Sequence, residues 1–532
     1  MAGPSTDTIA ARASLHAARQ PEHPAIICEG RETTYAELHR ASNRTAHALA
    51  ASGLGRGDRV AFLGRENEHY YDLALGCAKA GVVLVPINWR LTADEVDHIL
   101  RDSGARTVFV QQEFLAAVEQ ARGGLPQLRE VLLFDGDSGS GRSGRLAGGF
   151  LRWKGDVPDS DVDVRVGPED PMVQMYTSGT SGLPKGVVLA HRTFFTFIDN
   201  MREAGCDWID WRPEDRTLIC FPGLHSAGMA WFMHAFNVGA TSVVMGMFVA
   251  DDAVRLIPEH GVTTVWAAPA MLDMMAAEHG AGHEAFASLR KVVYGGAPIS
   301  PSQLERCLAV FGCELAQMYA AAETGSVVTC LTPADHVLGN HRLTSAGRVC
   351  PGNVVRIVGE DGEELPAGAI GQVSVWTPAH FVEYFRQPGA TAETLTDGWL
   401  RLGDAGYLDE DGYLFLCDRI NDTIIVAGQN IYPVEVENAL RAHPAVADVA
   451  VVGVPDARWG ETVRACVVVA PGGETGGREL MLFLRGRLAD FKIPTSYEFL
   501  DVLPRNPTGK VLRRELRRRY AAAGAGAGTG AS

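Results

Sequence analysis

Tyr176-Thr177-Ser178-Gly179-Thr180-Ser181-Gly182-Leu183-Pro184-Lys185-Gly186 sets four small hydroxyls, three glycines and one lysine between two strand-like stretches, residues 172–176 and 187–189. This is the composition of a phosphate-holding loop. Gly179, Gly182 and Gly186 can take positive φ and let backbone N–H groups approach an anion, while Thr177, Ser178, Thr180 and Ser181 add hydroxyl donors. Lys185 supplies the charge. A Walker A loop needs Gly-Lys-Ser/Thr opening a helix, whereas here Pro184 precedes Lys185 and Val187-Val188-Leu189 follows with strand propensity. The loop is therefore expected to join two strands. A flexible Ser/Gly linker would share the composition but not these flanks.

Outward from that loop, a chain of 532 residues exceeds what one core organises, so two or more domains are expected. The net charge of -16 argues against nucleic acid or an anionic membrane as partner, since both reward a basic surface. The N-terminus lacks a basic segment followed by an apolar one, and no apolar run approaches a membrane span, which predicts a cytoplasmic protein. Ten scattered cysteines with no Cys-x-x-Cys pair signal neither a zinc site nor a disulfide framework.

In chain order, Thr34-x-x-Glu37 is a capping box opening a helix that stops near Gly53. Strands at 59–63 and 81–85 alternate with helices at 71–80 and 92–100, and further strands at 217–221, 262–266 and 291–294 continue the pattern, which argues for parallel sheet. The polar Gly/Ser run at 136–145 reads as a surface loop. Pro433 sits at a helix start, and Val-rich runs at 446–454 and 462–469 suggest a small α+β domain. A basic helix at 513–519 precedes an Ala/Gly tail, residues 521–532, expected to be disordered. The fold class is thus α/β: a large domain of doubly wound, mostly parallel sheet over 1–418, and a small C-terminal domain over 419–520.

Further segments carry polar groups at strand ends. Phe221-Pro222-Gly223-Leu224-His225 exposes a histidine where open α/β sheets bind ligands, although a core histidine fits the same pattern. Tyr294-Gly295-Gly296-Ala297 offers paired glycines that let a flat ring approach backbone. Gln317-Met318-Tyr319 leads through three alanines to Glu323-Thr324, and Gly398-Trp399-Leu400-Arg401-Leu402-Gly403 to Asp404. Asp418-Arg419 and Pro504-Arg505-Asn506-Pro507-Thr508-Gly509-Lys510 follow. Met229, Trp231, Phe232 and Val293 either line an apolar pocket or belong to the core.

In this order and spacing, these segments and the loop resemble the acyl-adenylate-forming superfamily, and most of all a free-standing acyl-CoA synthetase. The resemblance implies that the loop and Lys185 hold ATP phosphates, Gly295-Gly296-Ala297 and Tyr319 face adenine, Glu323 binds magnesium, and Asp404 and Arg419 reach the ribose. His225 would lie against the acid, and Lys510 would bring cationic charge to the reacting phosphate. It implies ATP, Mg2+ and a small-molecule carboxylic acid, with CoA as co-substrate, and a small domain that turns about residues 418–421. Ala320, Ala322, Leu402 and Asn421 depart from the family pattern, and Thr324 is the hydroxyl positioned to replace one that is missing. The departures leave room for an amine or carrier-protein acceptor, or for another oxyanion such as nitrite. A catalytically silent nucleotide-binding protein is the alternative from another class, against which the joint presence of Glu323, Asp404, Arg419 and Lys510 argues.

Overall fold

The computed structural model describes residues 7–135, 149–177, 184–206, 210–297, 299, 301–359, 361–419, 422, 424–426, 429–456, 460–505 and 511–525. The Gly/Ser run at 136–145 lies outside them. Contacts divide the chain into two compact units, Met1–Val355 with Val375–Leu400, and Arg356–Ser374 with Arg401–Ser532.

The first unit holds two large sheets. One runs in the order Arg348–Val349, Val327–Leu331, Glu314–Ala320, Lys291–Gly295, Thr264–Ala267, Arg216–Ile219, Thr241–Val244, Pro24–Cys28, Arg31–Thr34. Its six central strands are parallel and its edges antiparallel. The second runs Glu383–Tyr384, Lys185–Ala190, Pro171–Thr177, Val83–Ile87, Arg59–Leu63, Thr107–Val110, Glu130–Leu133. The continuous apolar runs in these strands have no polar face because helices cover both sides, as parallel sheets require. Val60, Ala61 and Phe62, for example, are all fully buried.

Local signals set the helix starts. Thr34 accepts from the Glu37 N–H while Glu37 Oε2 accepts from the Thr34 N–H at 2.9 Å, opening helix Tyr35–Ala51. The same box, Thr92 with Glu95, opens helix Ala93–Ser103. Each satisfies two N–H groups that a helix start leaves without intrahelical partners.

In the second unit, antiparallel strands Val446–Asp456 and Gly460–Val469 carry Ser496–Phe499 alongside in parallel. Alternation along the first strand sorts the core in two. Val449 and Val451 pack with helices Pro433–Arg441 and Gly477–Leu484, whereas Ala450 and Val452 pack with Leu516 and Tyr520 of helix Arg513–Ala525. That last helix runs past Ala521 into the segment expected to be disordered, because alanine is the strongest helix former and carries the helix on to Ala525. Residues 526–532 lie outside the described residues.

None of the ten cysteines forms a disulfide. Among the described residues no helix is long and apolar enough to cross a membrane.

Candidate functional site

The signature loop leaves strand Pro171–Thr177 and returns on antiparallel strand Lys185–Ala190, with Thr177 directly opposite Lys185. Ser178, Gly179, Thr180, Ser181 and Gly182 lie outside the described residues. Both ends of the loop are tied to helix Ala93–Ser103: the Tyr176 hydroxyl donates to Asp102 Oδ2 at 2.6 Å, and the His98 ring donates to the Pro184 carbonyl at 3.0 Å. Since His98 and Asp102 are four residues apart, one helical face holds both ends. Behind the loop, Arg59 Nε donates to Gln174 Oε1 at 2.8 Å and Gln174 Nε2 to the Tyr176 hydroxyl at 2.9 Å.

Lys185 and Glu323 are brought together by a residue that sequence reading did not single out. The two-residue strand Glu383–Tyr384 pairs with Val187 and Val188. Tyr384 presents its ring 4.9 Å from Lys185 Nζ and donates its hydroxyl to Glu323 Oε1 at 2.7 Å. The Phe381 N–H also donates to the Glu323 carbonyl at 2.8 Å. A cation, an aromatic face and a carboxylate thus line up beside the base of the glycine-rich loop.

Tyr319 and Gly295 lie on neighbouring parallel strands, with Gly295 opposite Met318, so Gly295-Gly296-Ala297 and Tyr319 occupy one sheet edge. Two glycines prove to be needed for packing. A Cβ at Gly295 would stand 2.5 Å from the Met318 carbonyl, and one at Gly186 would stand 2.6 Å from Gln174 Nε2. At Gly295 the close approach is therefore to the adjacent strand. Thr324 does not replace a missing phosphate contact. It is fully buried, accepts from the Ala321 N–H at 3.0 Å and hydrogen-bonds the Ser326 carbonyl at 2.8 Å, so its hydroxyl closes the turn that presents Glu323.

His225 caps helix Ser226–Val238 at the carboxyl edge of the sheet. The Asn88 amide donates to its Nε2 at 3.3 Å, which makes that nitrogen the acceptor and leaves the proton on Nδ1. Burial, aided by the Arg90 guanidinium, pushes its pKa down to about 4, so the ring is uncharged in the neutral range. Its imidazole is therefore neutral. Met229, Trp231, Phe232 and Val293 are buried; Trp231 donates to Thr217 Oγ1 at 2.7 Å, and Phe232 stacks on Tyr71 at 3.8 Å, which makes both core residues.

Asp404 belongs to the second unit, where strand Trp399–Leu408 sets it opposite Arg419 of Leu414–Arg419. Lys510 and Asn421 lie outside the described residues. Among the described residues no group of three or more His, Cys, Asp or Glu side chains could hold a metal ion. Glu323 fits magnesium in another way, since that hard cation needs one carboxylate when phosphates and water complete its shell.

Comparisons with known proteins show the family. Residues 14–385 match the model of the AMP-binding enzymes, and residues 435–510 that of the AMP-binding enzyme C-terminal domain. A fatty acid–[acyl-carrier-protein] ligase of Streptomyces coeruleorubidus is 52% identical over 518 residues, 97% of each chain. A feruloyl-CoA synthase of an Amycolatopsis species is 36% identical over 94% of this chain and 96% of its own. Among solved structures, the o-succinylbenzoate CoA synthetase of Bacillus subtilis with its acyl-adenylate intermediate superposes with a TM-score of 0.81 at 29% identity, covering 97% of this chain and 98% of that one.

Proposed function

This chain belongs to the family of AMP-binding enzymes, and from that premise we propose that it joins a fatty carboxylic acid to a phosphopantetheine thiol. It is a ligase that forms an acyl-adenylate and passes the acyl group to CoA or a related acceptor. In the first step a carboxylate oxygen attacks the α-phosphorus of ATP and the bond to pyrophosphate breaks. In the second, a thiolate attacks the acyl carbon and AMP leaves. The observation that carries this reading is the convergence of Lys185, Tyr384 and Glu323 at the base of the glycine-rich loop.

Two anions must meet in the first step, so Coulomb repulsion dominates the barrier. Lys185, the loop N–H groups and Lys510 would offset it, each preorganised donor contributing about 3 kcal/mol. Glu323 would hold Mg2+, which supplies charge neutralisation across the phosphates when bound. Asp404 and Arg419 would take the ribose, and Tyr319 with Gly295-Gly296-Ala297 the adenine. His225, being neutral, would pack against the acid without attracting its carboxylate away from phosphorus.

CoA and a carrier protein present the same phosphopantetheine arm, and the similarity to a carrier-protein ligase over nearly the whole chain favours the second. A cytoplasmic location would give the enzyme ATP and either acceptor. The test incubates the protein with MgATP, a panel of fatty acids, and either CoA or a holo acyl carrier protein, followed by mass. Thioester on the carrier protein, formed faster than on CoA, is expected. Pyrophosphate release with thioester on neither would contradict the acceptor assignment.

Tyr384→Phe keeps the ring over Lys185 and removes the hydroxyl bound to Glu323. A hydrogen bond to a charged group is worth about 1.5–3 kcal/mol, so acid-dependent pyrophosphate release should fall roughly ten- to a hundredfold. An unchanged kcat would show that this bond does not support the reaction.

A further inference from the structure

The helix start that follows strand Arg59–Leu63 contains a carboxylic acid with no role in the chemistry above. Glu66 is 2% exposed, and it grips the turn that leads to His225. Its Oε2 accepts from the Gly223 N–H at 2.5 Å and from the Tyr71 hydroxyl at 3.0 Å, while the Tyr70 hydroxyl donates to the Gly223 carbonyl at 2.7 Å. Both polar groups of Gly223 are therefore held by one short segment. The space is full: a Cβ at Gly223 would stand 2.8 Å from the Tyr71 hydroxyl and 3.1 Å from Glu66 Oε2. From there the His225 N–H bonds the Pro222 carbonyl at 2.9 Å, and the stacking of Tyr71 on Phe232 ties the same segment to the helix His225 caps.

We propose that Glu66 is a positioning residue for the carboxylic-acid substrate, acting through Gly223 to fix the turn that places His225. The inference rests on the reading of His225 as facing the acid.

Glu66 acts as the neutral acid. Burial pushes its carboxyl up to about 8, against the opposing pull of the Gly223 N–H and Tyr71 hydroxyl. Among the described residues, the ionisable groups around it give a new anion no cationic partner: Tyr70 and Tyr71 are held well above their ordinary range, the Cys28 thiol near Tyr71 is pushed up to about 12, and Glu68 pairs with Arg31 at 2.7 Å. Arg65, next in the chain, lies over the Trp89 ring and pairs with Glu113 at 3.3 Å. Above about pH 8 a buried anion would form in the turn with only these two donors against its burial, and water drawn in to solvate it would compete for the Gly223 N–H.

The test uses the full chain with Glu66→Ala and Glu66→Gln, a panel of straight-chain fatty acids, and amide hydrogen exchange at Gly223. Glu66→Ala should raise KM for the acid roughly tenfold to a hundredfold, leaving KM for ATP unchanged. Glu66→Gln, whose amide oxygen can accept both bonds and cannot ionise, should keep the wild-type KM at neutral pH. It should also lack the rise in KM that wild type shows above about pH 8. Because the folded protein holds this proton more tightly than the unfolded chain, whose carboxyl titrates near 4.5, wild-type Tm should fall relative to Glu66→Gln as pH rises from about 4.5 to about 8. A change in Tm with unchanged KM for the acid in Glu66→Ala, or the same alkaline rise in Glu66→Gln, would overturn the proposal. If wild type releases pyrophosphate with no acid, the functional reading fails instead. Exchange at Gly223 then decides the clamp, with faster exchange in Glu66→Ala than in Glu66→Gln upholding it and equal rates overturning it.

Discussion

Lys510→Ala is expected to lower acid-dependent ATP–pyrophosphate exchange by about two to three orders of magnitude while ATP binding persists. The reason is electrostatic. Carboxylate and triphosphate repel, and a cation aimed at the reacting oxygens acts in the transition state, where negative charge is most crowded, more than on bound ATP. Lys185 stands at the base of the glycine-rich loop with its ammonium over Tyr384. We assign it to phosphate holding, and Lys510, which ends the sequence Pro504-Arg505-Asn506-Pro507-Thr508-Gly509-Lys510, to the reacting centre. Equilibrium ATP binding and exchange, measured on the same preparation, check the split. Exchange at the wild-type rate would remove Lys510 from the chemistry.

Glu323→Gln should be nearly as damaging, lowering kcat about a hundredfold and raising the Mg2+ concentration needed for half-maximal rate. The substitution preserves shape, and the amide oxygen can still accept from the Tyr384 hydroxyl now at 2.7 Å. What disappears is the charge. Were Glu323 present only to anchor Tyr384, glutamine would serve as well, and a Mg2+ titration superimposing on that of wild type would establish that role.

Features resting on local physics were legible in the sequence. The Thr34 capping box involves residues three apart and its helix starts where the box says, and the helix expected over 92–100 is capped by Thr92. The loop at 176–186 announced itself by its flanks, which do form adjacent antiparallel strands. The Val-rich runs of the second unit gave two paired strands because their alternation has a helix-covered side for each phase. Other features depend on where distant segments meet. Tyr384 lies 61 residues from Glu323 on a strand of two residues, too short to leave a pattern. Glu66 and Asn88 follow separate strands, and their attachment to Gly223 and His225 arises from packing between the two sheets. The family resemblance suggested that Thr324 could serve phosphate, but a hydroxyl within a tight turn competes for backbone partners, and here it closes the turn instead.

The most direct test of acyl-adenylate formation follows oxygen. A fatty acid labelled with 18O in its carboxylate, incubated with MgATP and the acceptor thiol, should yield AMP carrying one labelled oxygen and pyrophosphate carrying none, because the attacking carboxylate oxygen stays on phosphorus when the thiol takes the acyl group. Unlabelled AMP, or label in inorganic phosphate, would contradict the account.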